Sequence, residues 1–170
     1  AQTIYTAAAD SFETAFFRIY SSMALTDSLE TRESYYMVEI RSLKRILDAL
    51  DGEGPVLCFV DEVLRGTNTV ERIAASSKIL ESMKDRNVLV FAATHDIELT
   101  RLLEGIYANY HFEEQVEDND VTFSYKLEKG RAETRNAIRL LSIMGYDSTV
   151  VEEARQMAER FVRTGEWSLS

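Results

Sequence analysis

Two adjacent carboxylates, Asp61 and Glu62, end the apolar run Val56-Leu57-Cys58-Phe59-Val60, and a second apolar run, "NVLVFAA", ends in Thr94-His95-Asp96. Neighbouring anions repel and prefer water, so two readings fit the carboxylate pair. A surface turn would simply solvate them. Alternatively, the strand delivers them to a metal ion and a phosphate. Ligands of open α/β sheets bind beyond the carboxyl ends of the strands, so adjacent parallel strands would set His95 beside the pair. His95 alone would read equally as a turn residue. Together the three residues are what phosphoryl transfer needs: Asp61 to hold Mg²⁺ through its water shell, Glu62 to deprotonate a water, and His95 to hydrogen-bond the phosphate or that water.

The elements that must carry these residues are legible around them. "FETAFFRIYSSMAL" (Phe12–Leu25) holds a strand near Phe16–Ser21. From Ser34, Tyr36, Ile40, Leu43, Leu47 and Leu50 recur at three- and four-residue steps, which predicts an amphipathic helix closing near Asp51-Gly52, with Ser34 as its N-cap. "VLCFV" is apolar on both faces, as a central parallel strand is. A polar loop over 62–68 leads to a predicted helix from Thr69 to Lys84, with Ile73, Leu80 and Met83 inward. "NVLVFAAT" is a second strand apolar on both faces. Strand, helix and strand in this order make a right-handed βαβ unit. Asp96–Leu103 predicts a short helix. Val121, Phe123, Tyr125 and Leu127 alternate strictly after the polar turn Glu117–Asp120, which predicts an antiparallel hairpin with one wet face. Two helices follow, over Arg135–Met144 and Ser148–Val162, the second with Val151, Ala154, Ala158 and Phe161 on one side.

The 170 residues, 45% hydrophobic and 28% charged with one Pro, describe an ordinary globular domain able to bury a core. The single cysteine, Cys58, excludes an internal disulfide framework and fits a reducing, cytoplasmic setting; within its apolar run it reads as core filler. No apolar stretch reaches the ~20 residues that span a bilayer. A formal net charge of −10 argues against a broad nucleic-acid footprint on these residues.

"VDEVLRGTNT" closely resembles the Walker B and D-loop segment of the MutS ATPases, a branch of the ABC-type nucleotide-binding fold. "ATHDIELTRL" is similar to that family's switch-histidine segment, and "SYYMVEI" to its signature helix. "RIYSSMALTDSL" (Arg18–Leu29) resembles the stretch before that helix, and "GYDSTVVEEARQMAE" the family's closing helix. The likeness covers nearly the whole chain in the right order. It implies an ABC-type, P-loop NTPase-like three-layer α/β fold, here partial: a parallel βαβ core, an antiparallel hairpin and two C-terminal helices. It divides the chain into part of an ATPase domain over 1–130 and a helical dimerisation element over 131–170. It implies ATP and Mg²⁺ as cofactors, with Asp61 on the metal, Glu62 as general base and His95 as switch histidine. Thr67 and Asn68 would lie in the D-loop that faces a partner subunit. Ser34 would open a helix aimed at the partner's γ-phosphate, alongside its N-cap role; Glu39 reads as a structural partner. The implied assembly is a homodimer that couples ATP hydrolysis to clamping on DNA, with DNA held by other regions and no membrane segment in these residues.

Departures from the family pattern set further expectations. No Gly-x-x-x-x-Gly-Lys-Ser/Thr occurs among the 7 glycines, so the amide cradle and phosphate lysine are not supplied. "AQTIYT" resembles the end of the helix that such a loop opens, which predicts a fragment starting just after it and inactive alone. Ala9 stands near the position of a customary glutamine, and "RNAI" (Arg135–Ile138) replaces the usual Ser-aromatic-Gly. Two other functions remain open at this level: a non-hydrolytic dimerisation module, and a different ABC-type chromosome-maintenance ATPase, against which "SYYMVEI" argues.

Overall fold

The computed structural model describes residues 8–23, 35–117, 120–132 and 136–169. Expectations placed on 1–7, on 24–34 (Ser34 among them) and on Arg135 lie outside these residues. The chain divides into two compact units, Ala1–Tyr107 and Ala108–Ser170.

Unit 1 contains β1 (Arg18–Ser22), α1 (Tyr35–Ala49), β2 (Val56–Asp61), α2 (Thr69–Glu81), β3 (Val88–Ala93) and α3 (Ile97–Leu102). The strands are parallel in the order β1-β2-β3, with Tyr20, Cys58 and Val90 in register. β2 is therefore central, as its apolar run predicts. Side chains alternate across a sheet, and here the alternation separates two environments. Val56, Cys58 and Val60 are buried in one core with Leu43 and Ile46 of α1, Leu80 of α2, and Met83 and Leu103. The predicted α1 stripe packs against this core, and the most buried positions are Leu43 and Ile46. The outward face carries Ile19, Leu57, Phe59, Leu89 and Phe91. Phe59 and Phe91 stack with centroids 5.5 Å apart, yet Leu89 and Phe91 remain 49% and 55% exposed. The expectation that β3 is covered on both faces is thus corrected: it is an edge strand of this sheet with an open outer face.

Side chains also tie the ends of unit 1 together. Arg18 of β1 donates from Nη2 to the Ala49 carbonyl at 2.8 Å, placing a cation at the C-terminus of α1, where the helix dipole favours it. α2 ends at Glu81, short of Lys84, but Met83 in the following turn is buried as predicted.

In unit 2, β4 (Tyr110–Glu117) pairs antiparallel with β5 (Asp120–Lys129), with Phe112 opposite Leu127. Both side chains are exposed; the expected turn at 118–119 and the side chains of Val121 and Phe123 lie outside what is described. α4 (Ala137–Ile143) stops before Gly145, whose φ of 81° suits a residue without Cβ. α5 (Ser148–Thr164) starts at Asp147, which accepts from the Thr149 amide at 2.8 Å, and stops at Gly165 in the left-handed region. Val151 is its buried residue, and Phe161 stacks on Trp167 at 4.1 Å. Among the described residues, no helix is long and apolar enough to cross a membrane.

Candidate functional site

Sheet register brings the two segments together. Asp61 pairs with Ala93, and the Glu62 amide donates to the Ala93 carbonyl at 2.9 Å, extending the ladder one residue past β2. His95 lies two residues beyond Ala93, and its Nε2 meets Glu62 Oε1 at 3.0 Å. The Arg65 side chain engages the other oxygen, Oε2. The Glu62 carboxylate is thus bracketed by the guanidinium and the imidazole and is itself mostly buried, whereas the His95 side chain is 93% exposed. These residues line a polar cavity of about 250 Å³ together with Thr94, Arg72 and Asp96.

The turn that presents Glu62 is strained. Glu62 has φ 49° and Leu64 φ 61°, conformations that L-residues other than Asn and Asp rarely adopt. Each such residue costs about 1–3 kcal/mol. The same turn drives Val63 and Leu64 into the core, and burying each aliphatic side chain returns about 1.5–3 kcal/mol, enough to hold it. A carboxylate reinforces the hold: Glu39 of α1 is buried, and its Oε1 accepts from the Leu64 amide. Its Oε2 has no hydrogen-bond partner among the described residues. Burial pushes the Glu39 carboxyl up, with the Leu64 and Arg65 amides pulling the other way. Just beyond, a Cβ on Gly66 would stand 2.8 Å from the Tyr36 Cβ, so only glycine lets the loop pass the first turn of α1. Glu39 is therefore the structural partner the sequence suggests, and the helix that opens after Ser34 is fastened to the Glu62 turn.

Thr67 and Asn68 both serve the start of α2. Asn68 Oδ1 accepts from the Glu71 amide at 3.0 Å, and Thr67 Oγ1 donates to Glu71 Oε2 at 3.0 Å. This closes the helix terminus as an N-cap does. Both lie outside the cavity lining, as does Asp61, which is exposed at the end of β2. Among the described residues, no group of three or more His, Cys, Asp or Glu side chains converges as a metal site. One solvent-facing carboxylate fits an ion that keeps most of its water shell. Two cavity residues form a pair that no motif announces, although Asp96 itself lies in the quoted Thr94-His95-Asp96 segment. Arg72 in the first turn of α2 and Asp96 after His95 form a two-pronged ion pair, Nε to Oδ2 at 2.8 Å and Nη2 to Oδ1 at 2.6 Å. Opposite charges 24 residues apart leave no local sequence signal.

A family model described as MutS domain V matches residues 4–162. The chain is 32% identical over 143 residues to the DNA mismatch repair protein MutS 2 of Haloarcula marismortui, covering 82% of this chain and 15% of that protein. It is 27% identical over 154 residues to the DNA mismatch repair protein MutS of Thermus thermophilus, covering 91% and 19%. It is 29% identical over 156 residues to MutS protein homolog 4 of Mus musculus, covering 86% and 16%. The chain thus spans less than a fifth of the length of these relatives. With a match running from before β1 to near the end of α5, and the paired strand ends inside it, the chain belongs to the MutS family, through its domain V.

Proposed function

We infer that this chain supplies the hydrolytic wall of a MutS-type ATPase, with an ABC-type, P-loop NTPase-like ATPase domain over 1–130 and a helical dimerisation element over 131–170. The observation that carries the reading is the 3.0 Å Glu62–His95 contact at the carboxyl ends of adjacent parallel strands. Glu62 takes the proton of the water that attacks the γ-phosphate of ATP, and His95 hydrogen-bonds that phosphate or the water. Glu62 must first release Arg65. The Arg65 side chain is 60% exposed, so it can swing into solvent, while His95 stays in contact with the carboxylate. Asp61 holds Mg²⁺, which when bound neutralises phosphate charge. Thr67 and Asn68, fixed by their caps, present the D-loop to a partner subunit. Ser34 opens the helix whose free amides face the partner's γ-phosphate. Hydrolysis in the resulting homodimer drives clamping on DNA, which other regions of a longer protein contact, in keeping with the charge of −10 here.

The test joins this chain to an upstream Gly-x-x-x-x-Gly-Lys-Ser loop. Glu62→Gln should leave ATP binding nearly intact and slow hydrolysis by about 10²–10⁴-fold; retention of more than about half the rate removes the base role. Asp61→Asn should weaken Mg²⁺-dependent binding, and Ser34→Arg should block ATP-driven dimerisation in sedimentation. The 170-residue chain itself should bind Mg-ATP no tighter than about millimolar, or about −4 kcal/mol. A groove of about 510 Å³ between α4 and α5, where Ile138, Ala158 and Val162 meet Arg139, Arg155 and Glu159, favours a second reading, a non-hydrolytic dimerisation module. A joined chain that dimerises without hydrolysing ATP would select it.

A further inference from the structure

The Arg72–Asp96 pair breaks a local rule at each end. Arg72 sits in the first turn of α2, its amide bonded to the Asn68 carbonyl, where the helix dipole disfavours a cation by about 0.3–1 kcal/mol. Asp96 occupies the N-cap position of α3 but makes no side-chain cap bond. Asn68 and Asp147, at the same position on α2 and α5, both do, whereas Asn136 on α4 does not. Asp96 thus forgoes a bond that its residue type normally makes at this position. Both side chains instead meet in a fork–fork contact of 2.6 and 2.8 Å, 23% and 15% exposed. Two parallel charge-assisted bonds fix direction as well as distance. Positions that break local preference in favour of one distant contact are where function is expected.

The residue between Thr94 and Asp96 is His95. Its side chain is almost fully exposed and touches Glu62 alone among the described ion-pairing groups, so its aim depends on the backbone of its turn. Besides the His95–Glu62 contact, two side-chain bonds tie that turn among the described residues: Thr94 Oγ1 accepts from the Asp96 amide at 3.0 Å, and Asp96 is forked to Arg72. The first is internal to the turn, and the second anchors it to α2. We propose that Arg72 and Asp96 are positioning residues that fix the His95 turn to the helix following the Glu62 loop, so that imidazole and carboxylate stay in contact. The proposal rests on His95 belonging to the hydrolytic site; the placement itself is measurable without hydrolysis.

The experiment is nuclear magnetic resonance of the imidazole nitrogens in the 170-residue chain. It has two histidines, and His111, paired with Glu113 at 3.2 Å in unit 2, is the internal control. Glu62→Gln supplies the reference for His95 without its carboxylate. In Arg72→Gln and Asp96→Asn, the His95 signals should move most of the way to that reference, while His111 and the methyl signals of Leu43, Ile46 and Val60 stay. Arg72→Lys keeps the charge and loses the fork, and should move His95 part of the way; if the neutral variants do not fold, it decides alone. Unchanged His95 signals overturn the proposal, and so do core methyl signals that move in step with His95, since the pair would then merely hold the fold. An ATPase test that fails in the joined chain overturns the hydrolytic reading and leaves this result standing.

Discussion

On the helix-facing side of the unit 1 sheet, Val56, Cys58 and Val60 are sealed under Leu43, Ile46 and Leu80. One residue along each strand, Ile19, Leu89 and Phe91 face outward and are open to solvent. The two faces are equally apolar in sequence. What differs is the cover: α1 and α2 both contribute to the core on one side. A strand's hydrophobicity therefore records its fitness for burial and carries no information about what does the burying.

Breaking the sealed face should have the largest effect. Ile46→Ala removes a fully buried side chain and should cost about 2–5 kcal/mol, read as a shift of the urea midpoint at constant slope. Next comes the point where the covering helix reaches past the strand. Glu39→Leu leaves the buried Leu64 amide without its acceptor and should cost about 1–3 kcal/mol. Glu39→Gln retains an acceptor and sharpens the point through pH. Burial holds the folded Glu39 carboxyl above its ordinary value, so the folded state binds this proton more tightly than the unfolded chain. The stability it contributes is full below the ordinary carboxylate range and is lost as pH rises through the raised folded value. Wild-type stability should thus fall relative to Glu39→Gln on that rise, checked by urea unfolding from about pH 4 to about pH 8. Parallel curves would remove the linkage.

Smaller effects belong to the rim and to the open face. Asn68→Ala removes the α2 cap and should cost about 1 kcal/mol. Leu89→Thr, on the open side of β3, should stay within about 0.5 kcal/mol in the same measurement. A cost approaching that of Ile46→Ala would show the face to be covered in solution, and the comparison would collapse.

Much of this arrangement was legible beforehand because it follows from periodicity. The apolar run before Asp61 predicted a central strand, and the three- and four-step repeat predicted α1. Two parallel strand ends predicted that Glu62 and His95 meet, and they do. The strain at Glu62 and Leu64 was not legible, since neither is a residue that favours positive φ; tertiary burial of Val63 and Leu64 imposes it. The Arg72–Asp96 fork escaped because its members are remote in sequence and each contradicts its own local preference. The openness of β3 escaped for the reason its neighbour shows: identical residue types fit either environment.

Cys58 makes the sealed face its own clock. It is the chain's single cysteine, it is fully buried, and burial pushes its thiol up to about 11. The thiolate is the reactive form, so a thiol reagent can label the chain only when the sheet parts from its helices. Labelling therefore times the opening of unit 1 and is blind to unit 2, which carries no thiol. A nucleotide, an ion or a partner that tightened the Glu62 turn would slow this clock without ever touching the sulfur.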